Sequence, residues 1–220
     1  NSKNCKENVK SFHMGVVAFL LKMWYAVTRK KQTGGKKMFE RILTEEGFNK
    51  VYPILEQSFP ETELRTREDQ LALIEDEKYH MYAIEDEDGT VGGVIAAWEL
   101  ADDFLYIEHF ATLPEKRNHG FGGKMLDLFL HWKGKNVVLE VEVPEDTLTR
   151  RRIGFYERHG FVWNDYPYMQ PPMRKGQEPL PLRLMTKPAG ISLETYERYR
   201  SAIHCNVYRY TKEDLGKVNK

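Results

Sequence analysis

Cysteine is nearly missing from this 220-residue chain: Cys5 and Cys205, near the two ends, are the whole supply. No CxxC or Cys/His cluster exists, which excludes a disulfide framework and the usual zinc spacings. The seven histidines form no HExxH, and no carboxylate-rich loop has metal-ligand spacing, so no metal is expected. A charge excess is also missing, since 33 basic side chains balance 33 acidic ones. A protein that binds by neutralising many phosphates would be basic, so nucleic acid is not the expected partner. No apolar run reaches the about 20 residues that span a bilayer. The stretch GVVAFLLKMWYAV, residues 15–27, is too short and is broken by Lys22. It runs into TRKKQTGGKK rather than the small residues of a signal-peptide cleavage site. The expectations are no membrane partner and a cytoplasmic location. Residues 1–36 read as an N-terminal extension or an added segment with helical character.

What is present is a 41% hydrophobic, 30% charged composition that suits a globular domain. KMFERIL (37–43) alternates like a strand with one buried face. Thr44 then offers an N-cap, with Glu45 and Glu46 where a helix dipole favours acids. Phe48, Val51, Tyr52, Ile54 and Leu55 recur at helical spacing up to Phe59 and Pro60. A second helix is expected over 66–76. The period then changes: YHMYAIED, VGGVIAAWEL and FLYIEHFATL form three strands joined by short turns, an antiparallel meander with a hairpin signal at Asp88 and Gly89. FGGKMLDLFLHWKGK is a helix, NVVLEVEV a strand, and TLTRRRIGFYERHGF a helix closed by Gly160. FVWNDYPY and PLRLMTK are strands, and Ser192 caps a last helix. One α+β domain over 37–220 is the simplest organisation.

The stretch RNHGFGGK (117–124) carries three glycines between basic ends and opens a helix. A Walker loop would need Ser or Thr after Gly123 and Lys124, where Met125 stands. A dinucleotide fingerprint would need a third glycine at 125 and a parallel βαβ setting, and both are lacking. What the stretch does offer is a strand end, a loop with Arg117 and His119, and glycines leading into a helix N-terminus. Backbone N–H groups there point at an anion, and Gly120 and Gly122 let a bulky diphosphate come close. A tight turn using glycine for geometry alone fits the same residues.

The surrounding sequence EHFATLPEKRNHGFGGKML resembles the acetyl-CoA site of the GNAT superfamily of N-acetyltransferases. The family motif is Arg or Gln, two residues, Gly, any residue, Gly or Ala. Here it is Arg117, Asn118, His119, Gly120, Phe121 and Gly122, preceded by Pro114 and Glu115. A second hallmark, a helix ending Tyr-Glu-x-x-Gly-Phe, matches Tyr156, Glu157, Arg158, His159, Gly160 and Phe161. The resemblance covers about 37–186. It implies a GNAT fold: a mixed, mostly antiparallel sheet of six to seven strands with flanking helices, splayed between the strands near 104–113 and 137–143.

The resemblance also implies direct transfer of acetyl from acetyl-CoA to an amine in a ternary complex. The implied pantetheine contacts are the backbone of Phe110, Ala111 and Thr112. The implied pyrophosphate contacts are Arg117, the amides from Asn118 through His119, Gly120, Phe121 and Gly122 to Gly123, and Lys124 on the helix behind. Tyr156 matches the family's acid beside the sulfur. Glu108 and Glu140 match two base positions, and Glu142 shares a face with Glu140. His109, next to Glu108, is assigned by strand parity to the opposite face and a packing or surface role. Thr149 stands where many members have a pantetheine-contacting Asn, and Arg152 where they have Ala. The run Arg150, Arg151, Arg152 is a candidate for the coenzyme's 3′-phosphate or a solvated cluster. Glu56, Glu61, Glu63, Tyr166, Tyr168 and Gln170 fall where members choose their acceptor, and the acids hint at a cationic amine. The alternative reading is an acetyl-CoA-binding sensor of the same fold without turnover. Monomer and homodimer both remain open.

Overall fold

The computed structural model describes residues 38–210 except 87, 88 and 102. The expected N-terminal segment and the hairpin residue Asp88 lie outside the described residues. The order is β1 (Phe39–Arg41), α1 (Glu45–Ser58), α2 (Arg67–Ala72), β2 (Tyr79–Glu85), β3 (Val91–Leu100) and β4 (Phe104–Thr112). Then come α3 (Phe121–Lys133), β5 (Asn136–Glu142), α4 (Thr147–Arg158), β6 (Val162–Gln170), β7 (Leu180–Lys187) and α5 (Leu193–Asn206). These are the elements that periodicity predicts, with β1 shortened to three residues. Among the described residues no helix is long and apolar enough to cross a membrane.

The strands make one seven-stranded sheet in the order β1-β2-β3-β4-β5-β7-β6. β1 to β4 form the antiparallel meander, and β5, β7 and β6 pair antiparallel beyond it. Among the described strands only β4 and β5 run parallel, and their pairing stops at Ile107↔Leu139. β4 continues to Thr112 and β5 to Glu142. The two strand ends therefore part without a shared ladder, and the sheet opens between them. This is the splayed mixed sheet that the resemblance implies.

The two faces are covered by different helices. Phe48, Val51 and Leu55 of α1 and Tyr196, Tyr199 and Ile203 of α5 share a core with Met81, Ala83, Val94, Ala96, Trp98 and Phe104. Tyr82, which alternation turns to the other face of β2, meets Phe129 and Trp132 of α3. Thr44, Thr66, Asp146 and Ser192 each cap a helix by accepting a backbone N–H with a side-chain oxygen. Gly120, at the same position of α3, has no side chain and leaves the first-turn amides uncapped.

One irregularity in β4 matters for the site. Ala96 pairs with His109 but Ala97 pairs with Ile107, so Glu108 is the extra residue of a β-bulge. A bulge cancels simple alternation. Glu108 accepts from the Trp98 indole, and the His109 ring packs edge-on against Phe59 at 4.7 Å. Both side chains thus lie on the face that holds Trp98 and Phe59. Strand parity assigns them to opposite faces, and that expectation fails. Of the packing and surface roles expected, the buried ring takes the packing one. Phe110 is turned the other way, toward Phe155 of α4 at 6.4 Å.

Candidate active site

The parted ends of β4 and β5 form a cavity of about 290 Å³. Its walls include Glu108, His109, Phe110, Ala111 and Thr112 from β4 and Glu140, Val141 and Glu142 from β5. Tyr156 and Arg152 reach it from α4, Glu63 from the short 3-10 turn after α1, and Arg117 from the glycine loop. Of the sequence-predicted residues, the two base candidates, the acid candidate and the three pantetheine residues therefore meet in one place.

The two carboxylates differ in kind. Glu108 sits 2.6 Å from Arg65, and its side chain is 1% exposed. Burial alone would raise its pKa, but the Arg65 charge, His109 and the Trp98 N–H together hold it below the ordinary value. Glu108 thus stays ionised, with one oxygen on Arg65 and the other on Trp98 at 3.0 Å. Instead of facing an acceptor as an available base, it is half of a closed ion pair. Glu140 is surrounded by phenols instead. Burial pushes its carboxyl up to about 7, against the pull of hydroxyls from Tyr168, Tyr208 and Tyr106 and with a push from Glu108. Tyr208 donates to Glu140 at 2.8 Å, Tyr168 donates to the other oxygen, and the Tyr106 and Tyr208 hydroxyls are 3.3 Å apart. Glu142 is taken up by Arg152. Glu63 titrates above its usual range, through burial and repulsion from Glu142.

Tyr156 is half-buried between the Phe155 and Phe161 rings, at 5.2 and 5.6 Å. Burial pushes its phenol up to about 12, with Arg152 pulling the other way. It stands on the α3–α4 side of the gap while Glu140 stands on the tyrosine-lined side, and both line the cavity.

The glycine loop is built as an anion cradle. Asn118 (φ +64°) and Gly120 (φ +76°) both take left-handed backbone, which turns the chain sharply into α3. The first amides of α3 then face outward without a capping side chain. A Cβ added at Gly122 would touch Thr112 and Phe110 across the gap. Gly123 is needed for packing, because a Cβ there would lie 2.9 Å from the His159 ring. Donor amides, a left-handed turn and glycine facing the splay fit a pyrophosphate at this place. Arg117 donates to the Thr112 carbonyl at 3.1 Å and to Ser58 at 3.3 Å, so its guanidinium bridges the loop to β4 and α1. Lys124 and His119 are on the exposed side.

The other candidates are settled locally. Thr149 is buried and its hydroxyl belongs to the α4 capping box with Asp146, which leaves it no reach into the gap. Arg150 donates to the Pro144 and Glu145 carbonyls, Arg151 reaches Asn118 at 3.3 Å, and Arg152 is held by Glu142. Of the three, Arg151 is the one that touches the glycine loop. Glu63 and Gln170 line the cavity. Tyr166 instead bonds the Ile191 carbonyl, and Glu61 pairs with Arg174 at an exposed position. Sequence reasoning misses Arg65, Tyr106 and Tyr208. They act through partners 43, 34 and 68 residues away, and no spacing marks them.

The sequence model of the acetyltransferase (GNAT) domain matches residues 77–163. A protein from Bacteroides thetaiotaomicron, described as an acetyltransferase of the GNAT family, superimposes with a TM-score of 0.74 at 35% identity. The match covers 79% of this chain and 99% of that one. The chain belongs to the GNAT family of acetyltransferases. A spermidine N-acetyltransferase chimera from Vibrio cholerae and hSSAT is similar in fold alone, with a TM-score of 0.53 at 13% identity over 67% of this chain and 94% of that one. No curated protein matches the chain significantly. As a member of this family the chain is an acetyltransferase, and the family draws on acetyl-CoA.

Proposed function

We propose that the protein moves acetyl from acetyl-CoA to the primary amine of a cationic small molecule or peptide, in one ternary complex. Glu140 is the general base and Tyr156 the acid-side group. The observation that carries this reading is that Glu140, poised near pH 7, and Tyr156 line one cavity where β4 and β5 part. A base works best when its pKa lies near the operating pH. Residues 37–220 make up the catalytic domain, residues 1–36 an extension, and the enzyme is cytoplasmic.

Acetyl-CoA supplies the activated acetyl thioester. The backbone of Phe110, Ala111 and Thr112 would hold its pantetheine arm, and Arg117, the amides of 118–123 and Lys124 its pyrophosphate. Glu140 takes a proton from the acceptor ammonium, and the freed nitrogen lone pair forms the new C–N bond as the C–S bond breaks. A backbone N–H of β4 beyond Ile107 supports the charge on the carbonyl oxygen. Tyr156 donates a hydrogen bond to the departing sulfur. Its pKa of about 12 lies well above that of an ordinary thiol, so full proton transfer is uphill and donation carries most of the effect. The second proton, released from nitrogen as the amide forms, passes to the departing thiolate to give the coenzyme A thiol, and the proton on Glu140 returns to solvent before the next cycle. Glu63 and Glu140 give the acceptor side a negative balance, since Glu108 and Glu142 are matched by Arg65 and Arg152.

The test is thiol release from acetyl-CoA with a panel of polyamines, aminoglycosides and peptide amines. Glu140→Gln is expected to lower kcat/KM by about 10²- to 10⁴-fold. Full activity in that variant overturns the base assignment. An unchanged melting temperature at millimolar coenzyme A overturns the cofactor reading, because a ligand of the native state must stabilise it.

A further inference from the structure

We propose that Tyr208, carried in by the segment after α5, is a positioning residue of the active site whose hydroxyl holds the Glu140 carboxylate in the cleft. The inference rests on Glu140 as base and adds a part of the chain beyond residue 163, where the matched domain ends.

Each oxygen of Glu140 receives a phenol hydroxyl from a different element. Tyr168 of β6 serves one and Tyr208 the other, at 2.8 Å. Tyr106 of β4 closes the group, 3.3 Å from the Tyr208 hydroxyl. Tyr168 and Tyr106 are fixed by the sheet. Tyr208 has no strand or helix of its own, so its placement needs other anchors, and besides backbone hydrogen bonds from its segment to Ile203 and His204 of α5 there are side-chain ones. Arg65 donates to the Val207 carbonyl at 2.9 Å. Arg209 turns the chain with φ +61° and pairs with Asp76 at 2.7 Å. Its guanidinium also lies over the Trp98 ring at 5.8 Å. A second cavity of about 250 Å³, bordered by Arg65, Leu73, Met173 and Val207 among others, adjoins this strap. Val207 and Tyr208 are also buried in the core shared by α1 and α5, so polar clamps and packing hold the strap together. Arg65 joins the two carboxylates of the cleft, since the same guanidinium binds Glu108 and the strap.

The charged and titratable groups around Glu140 can be named element by element. β4 presents Tyr106 and Glu108, β6 presents Tyr168, and the strap presents Tyr208. Along β5, Glu142 is bound to Arg152. On α5 the neutral His204 ring flanks Tyr168 at 5.3 Å and Tyr208 at 6.2 Å. Glu63 lines the same cavity from across the cleft. Hydroxyls that donate to a carboxylate favour its charged form, so losing one must raise its titration point.

Tyr208→Phe keeps the ring and removes the hydroxyl. The expected result is that the Glu140 carboxyl carbon, assigned in NMR spectra by its absence in Glu140→Gln, titrates at higher pH. The acidic limb of kcat/KM moves up with it, so activity at pH 6 falls in proportion to the ionised fraction of Glu140 and recovers at pH 9. Arg209→Ala, altering an exposed side chain, loosens the strap and leaves the hydroxyl in place. It is expected to move the same signal in the same direction by less. An unmoved Glu140 signal in both variants overturns the inference, whatever the activity does. A moved signal with a stationary activity limb keeps Tyr208 as the group that holds Glu140 and overturns Glu140 as base.

Discussion

Arg65 lies 2.6 Å from Glu108 with both side chains closed off from solvent, so the floor of the cleft is an ion pair and not a free carboxylate. The same guanidinium donates to the Val207 carbonyl, and Gln70, 3.5 Å from it, donates to Tyr79. Removing one partner of a buried pair leaves the other charge unmatched, which costs about 3–5 kcal/mol. Arg65→Met is expected to lower stability in urea unfolding by that order. Arg65→Met combined with Glu108→Gln is expected to regain much of the loss, because no lone charge is then buried. A double variant as unstable as the single one would show that the Val207 contact, not the ion pair, carries the effect.

Glu140 sets activity and stability against each other. Its carboxyl titrates near 7 in the fold against an ordinary 4.5, so the native state binds more protons than the unfolded state between those values. Stability must then fall as pH rises through this window. By pH 8 the cost is about 3 kcal/mol. With Glu140 as the proposed base, activity runs the other way, because a base must be ionised. Glu140→Gln is expected to lose most of its turnover, and its stability relative to the unaltered enzyme should be higher at pH 8 than at pH 5. Urea midpoints at the two pH values check the first trend, and kcat/KM profiles of the unaltered enzyme check the second.

The fold was legible because its signals are local. The apolar runs of β2 to β5, the caps Thr44 and Ser192 and the left-handed Gly160 need only neighbouring residues. The glycine loop and Tyr156 were legible through their resemblance to a known motif. The bulge at Glu108 was not. One inserted residue leaves the apolar pattern of FLYIEHFAT readable as an unbroken strand, and only pairing with Ala96 and Ala97 exposes it. The partners that decide between Glu108 and Glu140 were hidden for a similar reason. Arg65 and Tyr208 approach from distant chain segments, and their residue types occur on any surface.

Gly123 and His159 lock α3 to α4 on the coenzyme side. A methyl at 123 would stand 2.9 Å from the imidazole, which is itself 2.7 Å from Asp127. Replacing glycine with alanine inside a helix ordinarily gains about 1 kcal/mol, while overpacking costs about 1–3 kcal/mol. Gly123→Ala is therefore expected to be mildly destabilising, and stabilising when His159→Ala accompanies it. A double-mutant cycle by chemical unfolding reads this reversal of sign. No coupling between the two positions would mean that the ring gives way at no cost.

Tyr156→Phe separates packing from chemistry. The ring keeps its edge contacts with Phe155 and Phe161, so the melting temperature should hardly move. In the proposed mechanism the hydroxyl acts at the departing sulfur, where charge develops only as the C–S bond breaks. An interaction made in the transition state and not in the ground state lowers kcat and kcat/KM together and leaves KM alone. The expected loss is about 10²-fold, the range of a single donor aimed at developing charge. The basic limb of the profile should also disappear if it reports loss of the Tyr156 proton, whose pKa of about 12 places it at the alkaline edge of the measurable range. Steady-state kinetics with a saturating amine reads all three quantities. A raised KM at constant kcat would instead make Tyr156 a wall of the binding site, and the departing sulfur would then leave without its hydrogen bond.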